Sequence, residues 1–229
     1  MAQEFLYLIE KEDLLDRSSL FQIYQNKDIN YYISDDFSQE FYIILAKAGF
    51  ISTSILIKNK FYLLPEIQFE YAILDFKDLH ITKKVQKLIK ENNFEFKINQ
   101  NIELVLENLE NYHKDNWLSS LYKKLILKLY KNPKDNFEVL SFELYSENVL
   151  IAGEIGYKIG KTYTSLSGFS KKDKKYNNWG KLQMILLAKY LEENSFSFWN
   201  LGHPYMQYKF DLGAKLYSRE DFLEKWLQN

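Results

Sequence analysis

FEVLSFELYSENVLIAGEIGYKIGKTYTSLSGF, residues 137–169, reads as three β-strands in series. Apolar and aromatic residues run through 137–145, 149–159 and 162–169. The breaks between them, Ser146-Glu147-Asn148 and Gly160-Lys161, carry the residue types that favour tight turns. Strands joined so briefly are antiparallel, so the segment predicts a meander. Beyond it, 170–178 is a polar, lysine-rich loop, and 179–193 places Leu182, Leu186, Leu187 and Leu191 on one face of a helix. Phe196, Phe198 and Trp199 open a further strand ending at Asn200. A polar turn follows, Gly202-His203-Pro204, then Gln207, Lys209 and a tight spot at Gly213-Ala214. An apolar strand, then glycine, then clustered polar side chains is the layout of a site at a strand end. The same residues also read as a strand, a turn and a short helix that only pack. Ser218 with Asp221 starts a last helix that ends near Trp226.

Upstream, 4–10 alternates with Phe5, Tyr7 and Ile9 on one side, which predicts a short strand; 14–25 fits no single period. Asp36 or Ser38 caps a helix that runs to Lys47 and stops at Gly49. Residues 61–64 and 69–76 predict strands separated by a break at Pro65-Glu66. Thr82 caps a helix to about Asn92, and Asn101 caps another that buries Val105, Leu106 and Leu109. The clearest helix is 117–131, where Leu118, Leu121, Tyr122, Leu125, Ile126 and Leu129 recur at helical spacing before Asn132-Pro133 stops it. This order of elements resembles the acetyltransferase-like α+β fold, a mixed sheet with flanking helices. It assigns 76–229 to that domain and 1–75 to a small α/β N-terminal domain packed closely against it.

Composition narrows the function. Of the 229 residues, 46% are hydrophobic and 17% aromatic, ample for a core. The net charge of −1 gives no global field to concentrate nucleic acid or anionic membrane, so any such contact rests on a local patch. Arg17 and Arg219 are the only arginines. The absence of cysteine excludes disulfides, cysteine nucleophiles and thiolate metal sites, and it fits a cytoplasmic protein. The charged segment 1–13 is unlike a signal peptide, and no apolar run is long enough to predict a membrane span. His80, His113 and His203 lack ligand spacing, so no metal and no cofactor is expected.

Short motifs then fall in a recognisable order. Residues 31–38 resemble a Gly-Gly-Asp-Leu-Ser segment, and 46–50 end like Gly-Ile-Phe. Residues 79–84 are similar to Leu-His-Ile-Ser, 116–119 to Thr-Trp-Ile, 152–160 to a Gly-Gly-x-x-Gly hairpin, Phe169-Ser170 to Met-Phe-Ser, and 212–214 to Ser-Leu-Gly-Ala. In this order they resemble the bacterial leucyl/phenylalanyl-tRNA–protein transferase family over nearly the whole length. The resemblance implies an acetyltransferase-like domain behind a small N-terminal one. It implies transfer of Leu or Phe from the 3′ end of aminoacyl-tRNA to the amine of a protein or peptide N-terminus, without metal or coenzyme, because the ester is already activated. It also places the aminoacyl end in the split between the meander and the next strand.

The departures are as informative. Where the family has Gly-Glu-Ser, this chain has Ser165-Leu166-Ser167, so Leu166 replaces a carboxylate. The family's Asp-x-Gln aligns with Asn200-Leu201-Gly202, and one extra residue lets His203 fall near the Gln position instead. Asn200, His203 and Gln207 are the catalytic candidates. Asn200 either orients a carbonyl or ends a strand. His203 is either a base or a turn histidine. Gln207 is either a site residue or a solvated helix residue. Trp117, Tyr163, Leu166, Ser167 and Gly202 are the candidate substrate-binding wall, with Trp117 either stacking on an adenine or anchoring a helix. Lys172, Lys175 and Lys181 surround a helix start and form a candidate contact for tRNA phosphate; their other reading is a solvated loop. Two further functions stay open: a non-catalytic binder of tRNA or peptide termini, and a coenzyme A acyltransferase. The second lacks a glycine-rich pyrophosphate loop before the helix at Asn178-Trp179-Gly180.

Overall fold

The computed structural model describes residues 6–113, 117–134 and 136–228. Strand β1 (Tyr7–Leu8) pairs in parallel with β2 (Tyr32–Ile33), and between them lie α1 (Lys11–Leu15) and α2 (Arg17–Gln25). The ambiguous 14–25 stretch is thus a helix-to-helix junction, where the Asp16 side chain accepts from Ser19 N at 2.8 Å and caps the second helix. Residues 4 and 5 of the expected first strand lie outside the described residues. Helix α3 (Gln39–Lys47) starts on Ser38, whose hydroxyl accepts from Phe41 N, and the chain leaves it through Gly49 at φ +88°.

Next come β3 (Ile51–Ile57) and β4 (Lys60–Glu66), a hairpin turned by Lys58 and Asn59, both at positive φ. The expected break at Pro65-Glu66 is corrected here: Pro65 lies inside β4, opposite Ser52. Leu63 and Ile67 donate to Ser34 O and Asn30 O, and Pro65, which has no N–H, leaves the slot between them without a donor while the strand continues past it. Strand β5 (Glu70–Leu74), α4 (Lys83–Glu91), β6 (Glu95–Ile98), α5 (Ile102–Tyr112) and α6 (Ser120–Lys131) follow. Asn101 and Ser119 cap α5 and α6, so Trp117 precedes its helix instead of opening it. The meander is β7 (Phe137–Ser146), β8 (Val149–Ile159) and β9 (Thr162–Ser170), and α7 (Trp179–Glu193) ends where leucine spacing predicts. Strand β10 (Phe198–Asn200), α8 (Gln207–Asp211), β11 (Lys215–Ser218) and α9 (Arg219–Trp226) complete the chain.

Seven strands form one mixed sheet in the order β11-β5-β10-β9-β8-β7-β6. Its β9–β10 pair is parallel and the others are antiparallel. An antiparallel meander, a crossover helix and a parallel strand make this the acetyltransferase-like α+β arrangement. Strand β7 shows how the two faces divide. Leu140, Phe142 and Leu144 join the apolar cluster beneath α4 and α7, while Phe137 and Val139 join the one beneath α3, α5, α6 and α9. The second cluster also takes in Ile9, Leu14, Phe50 and Leu63, so the N-terminal residues share a core with the rest. Strand β5, which precedes residue 76, lies inside the sheet between β10 and β11. Among the described residues, no helix is long and apolar enough to cross a membrane.

Arg219, buried at the start of α9, ties these parts together. Its guanidinium donates to the carbonyls of Gln68 (3.1 Å), Ile67 (2.7 Å), Ile23, Tyr24, Asn26 and Ile29, and it lies over the Phe69 ring. Among the described residues no carboxylate pairs with it; the donors satisfy main-chain oxygens that the fold withholds from water. Arg219→Met leaves those carbonyls unpaired and is expected to lower the unfolding free energy by about 3–5 kcal/mol in urea titrations, with Arg219→Lys recovering only part. A loss under about 1 kcal/mol would show that water replaces the guanidinium without cost.

Candidate active site

The site is built by a strand pair that separates. Strand β10 pairs with β9 over only Phe198–Thr162, Trp199–Tyr163 and Asn200–Thr164. Asn200, buried, then accepts from Gly202 N at 2.9 Å through Oδ1 and donates from Nδ2 to Thr164 Oγ1 at 3.4 Å. Gly202 takes φ +71°, and Leu201 N and Gly202 O bond to Ala72, drawing the chain toward β5. Beyond Thr164, β9 has no pairing with β10, and the half-buried to exposed residues 165–168 are left on an open side next to the chain that continues through 201–206 into α8. A β-bulge at Leu166 interrupts the β8–β9 register just beyond: Ser165 lies opposite Gly156 and Ser167 opposite Ile155, so Leu166 has no partner on β8.

Glu154 of β8 lies beside this gap, buried to 4% exposure. Its Oε1 accepts from Ser165 Oγ at 2.5 Å and Tyr163 OH at 3.3 Å. Trp199 Nε1, which can only donate, gives its proton to Ser165 Oγ at 2.7 Å, so the serine hydroxyl points at the carboxylate. Lys209 of α8 faces it, also buried, with Nζ donating to Leu201 O at 2.5 Å and His203 O at 2.7 Å. Burial pushes the Glu154 carboxyl up to about 7, against the pull of Ser165, Tyr163 and the Lys209 charge. Burial likewise lowers the Lys209 ammonium to about 8, and the Glu154 charge opposes this. Burial and then the charge of Glu154 raise Tyr208 to about 12. Burial thus moves both groups toward neutrality, and each charge moderates the shift of the other.

The sequence candidates divide around this centre. Asn200, Gly202 and Tyr163 belong to it, with the Tyr163 ring fully buried beneath the gap. Leu166 and Ser167 stand on the bulged edge of β9. Ser167 Oγ is 3.1 Å from His113 Nε2 at the end of α5, and the adjacent Tyr112 ring lies beneath Lys172 Nζ. His203 lies at the mouth, half-buried, and its Nε2 donates to Glu66 Oε2 at 2.7 Å while its ring stacks on the exposed Tyr205. Glu66 Oε1 accepts from Asn30 Nδ2. Trp117 is held by β3 and α6, through its carbonyl to Ser54 Oγ and its ring on Tyr122. The structure does not bring Gln207, Lys175 or Lys181 to the centre. Gln207 is exposed and donates to Asp211, Lys181 pairs with Asp211, and Lys175 pairs with Glu147. Among the described residues, no His, Asp and Glu side chains converge as a set that could hold a metal ion.

Glu154, Ser165 and Lys209 escape a sequence reading because three separate elements bring them together. The one available signal is a carboxylate in an apolar strand, and it is ambiguous. Glu143 on β7 gives the same signal, yet it accepts from Gln100 N, Asn101 N, Ser141 Oγ and Tyr145 OH and serves the fold.

A buried acid that is easier to hold protonated leaves a mark on stability. The Glu154 carboxyl binds its proton more tightly in the folded chain than its ordinary 4.5, so stability falls as pH rises from about 4.5 to 7. Glu154→Gln lacks that loss. It should gain about 2–3 kcal/mol on the parent between about pH 5 and pH 8 in urea unfolding, whereas parallel pH profiles for the two proteins would contradict the assignment.

Comparison with known proteins bears on this geometry. A family model described as leucyl/phenylalanyl-tRNA protein transferase matches residues 73–227, so the motifs at 31–38 and 46–50 lie outside the matched region. A leucyl/phenylalanyl-tRNA–protein transferase of Flavobacterium johnsoniae is 25% identical over 155 residues, covering 66% of this chain and 69% of that protein. One of Pseudomonas aeruginosa is 23% identical over 154 residues, covering 64% of this chain and 62% of that protein. Among solved structures, FemX is similar with a TM-score of 0.49 at 10% identity, covering 88% of this chain and 73% of its own. The C-terminal domain of a putative lysylphosphatidylglycerol synthetase from Agrobacterium fabrum has a TM-score of 0.43 at 13% identity, covering 75% and 54%. With neither score reaching 0.5, the fold assignment rests on the strand order above. The single family model spans most of the sequence, from β5 through α9, and the chain belongs to the leucyl/phenylalanyl-tRNA protein transferase family.

Proposed function

We propose that this protein moves a leucyl or phenylalanyl group from the 3′ end of its tRNA to the α-amine of a protein or peptide N-terminus. Family membership supports the reaction class. The observation that carries the reading to this site is the separation of β9 and β10 at Asn200, which opens a gap beside a buried carboxylate. The ester linking amino acid to tRNA is already activated, so the protein must mainly hold an apolar side chain, align an amine, move a proton and stabilise an oxyanion. Leu166 supplies apolar wall, and Asn200 sets the position of the loop that closes the gap. Lys172 over Tyr112, with Tyr205 and Met206 exposed at the mouth, suits a phosphate and a base of the tRNA end. Such a reaction draws on cytoplasmic aminoacyl-tRNA. With Leu166 where the family carries a carboxylate, a cationic first residue on the acceptor is expected to be favoured less than in the relatives.

The reading is tested by offering labelled Leu-tRNA, Phe-tRNA and acetyl-CoA separately to peptides that differ in their first residue. Transfer from one or both aminoacyl-tRNAs and none from acetyl-CoA is expected. Transfer from acetyl-CoA alone, or tight tRNA binding without turnover, would overturn it. Asn200→Ala frees the Gly202 loop and should lower kcat by about 10²-fold, with a smaller change in KM.

A further inference from the structure

We propose that Glu154 takes the proton of the attacking amine and returns it to the leaving ribose oxygen, and that Gly168 is the doorway through which the amine reaches it. The proposal rests on the aminoacyl-transfer reading above and assigns its proton-handling group.

Three observations carry it. First, the carboxylate is held from one side only. Ser165 and Tyr163 both bond to Oε1, and Oε2 has no hydrogen bond among the described residues. Glu143 on the neighbouring strand shows the contrast, since four donors occupy both of its oxygens. Second, the free oxygen faces the gap. Gly168 lies opposite Glu154 on β9, is exposed, and would place a Cβ 3.7 Å from Oε2. A side chain here would stand beside the carboxylate and also 3.3 Å from Gly153 O, while the glycine's φ is not in the left-handed region, so close approach and not backbone conformation favours glycine. Third, Gly168 lies on the part of β9 that β10 has left. The carboxylate absent at Leu166 is thereby offered from the adjacent strand.

The titratable groups facing Glu154 are Tyr163 from β9 and Lys209 and Tyr208 from α8. The cation keeps the carboxylate from becoming too weak an acid to release its proton. Burial brings Glu154 to about 7, so near neutral pH it can both accept and release a proton.

The neutral amine nitrogen bonds to the ester carbonyl carbon, and the carbonyl π pair moves to its oxygen. One N–H proton passes to Glu154 Oε2. The carbonyl re-forms, the bond to the ribose oxygen breaks with its electron pair on that oxygen, and Glu154 returns the proton there. An amide and a tRNA with a free hydroxyl result, and the carboxylate is as it began.

The test uses the full chain with Glu154→Gln, Glu154→Asp and Gly168→Leu, each checked for folding by circular dichroism and for tRNA binding. Single-turnover transfer from labelled Phe-tRNA to a peptide is measured from about pH 5 to 9. The parent rate should bend near pH 7, falling on the acid side. Glu154→Gln should lose the part of that fall that exceeds the titration of the peptide amine itself and drop by about 10²–10⁴-fold with tRNA affinity unchanged, and Glu154→Asp should recover part of the rate. Gly168→Leu keeps the carboxylate and covers Oε2, so it should bind tRNA and transfer poorly. Parental rate and parental pH profile in folded Glu154→Gln, or full activity in folded Gly168→Leu, overturns the inference while the transfer reading stands. A parent that binds tRNA but transfers to no amine overturns both.

Discussion

The hydrogen bond from Gly202 N to Asn200 Oδ1 decides where two parallel strands part. Up to Asn200 the chain follows β9; after it, Leu201 and Gly202 bond to Ala72 and follow β5. Main-chain groups along the outer half of β9 then face a gap instead of a strand, and buried backbone polar groups need partners from water or a ligand. A parallel pair that continued for its full length would seal that side. Everything assigned to the site follows from this: a bulged edge at Leu166, a glycine beneath the opening at 168, and a short helix, α8, that fills the far side and inserts Lys209.

Holding Glu154 and Lys209 in low dielectric is costly, and the fold is stiff enough to bear it. Lys209 is anchored on two loop carbonyls, and Glu154 on a serine whose own orientation is set by Trp199. Below them the apolar clusters on both faces of the sheet contain fully buried Phe142, Tyr157 and Phe198. Arg219 adds a polar clasp, pinning 23–29 and 67–69 to α9 through carbonyls alone. The N-terminal residues are therefore part of the frame around the gap: Ile51 stands 3.5 Å from where a side chain on Gly202 would begin, and Glu66 grips His203.

How much of this was legible in the sequence depended on pattern length. The meander and α7 were read to within a residue, because long apolar stretches are bounded by turn residues, Glu147-Asn148 turning at positive φ. Strand β3 was missed for a physical reason. Its buried positions are Ser52 and Ser54, while Leu56 is 55% exposed, so its pattern is inverted. Ser54 is buried with its polar atom bonded: its Oγ donates to Trp117 O and shares a hydrogen bond with Ser119 Oγ. Strands β6 and β11, four residues each at the two edges, are too short to show a period. In the site, Asn200 was legible as the polar end of an apolar strand. Glu154 was not, because what separates it from Glu143 is the number of donors around it, and those donors come from other elements.

In the reaction proposed, the aminoacyl end enters between the outer half of β9 and the 201–206 loop, against Glu154. The most direct measurement is a crystal structure with a stable amide analogue of phenylalanyl-adenosine. The account predicts the phenylalanyl side chain against Leu166 and its carbonyl carbon within about 4 Å of the space over Gly168, near enough for an amine there to reach both carbon and carboxylate. An analogue seated elsewhere, such as the small cavity between α4, α7 and α8 lined by His80, Val85 and Met184, would contradict it.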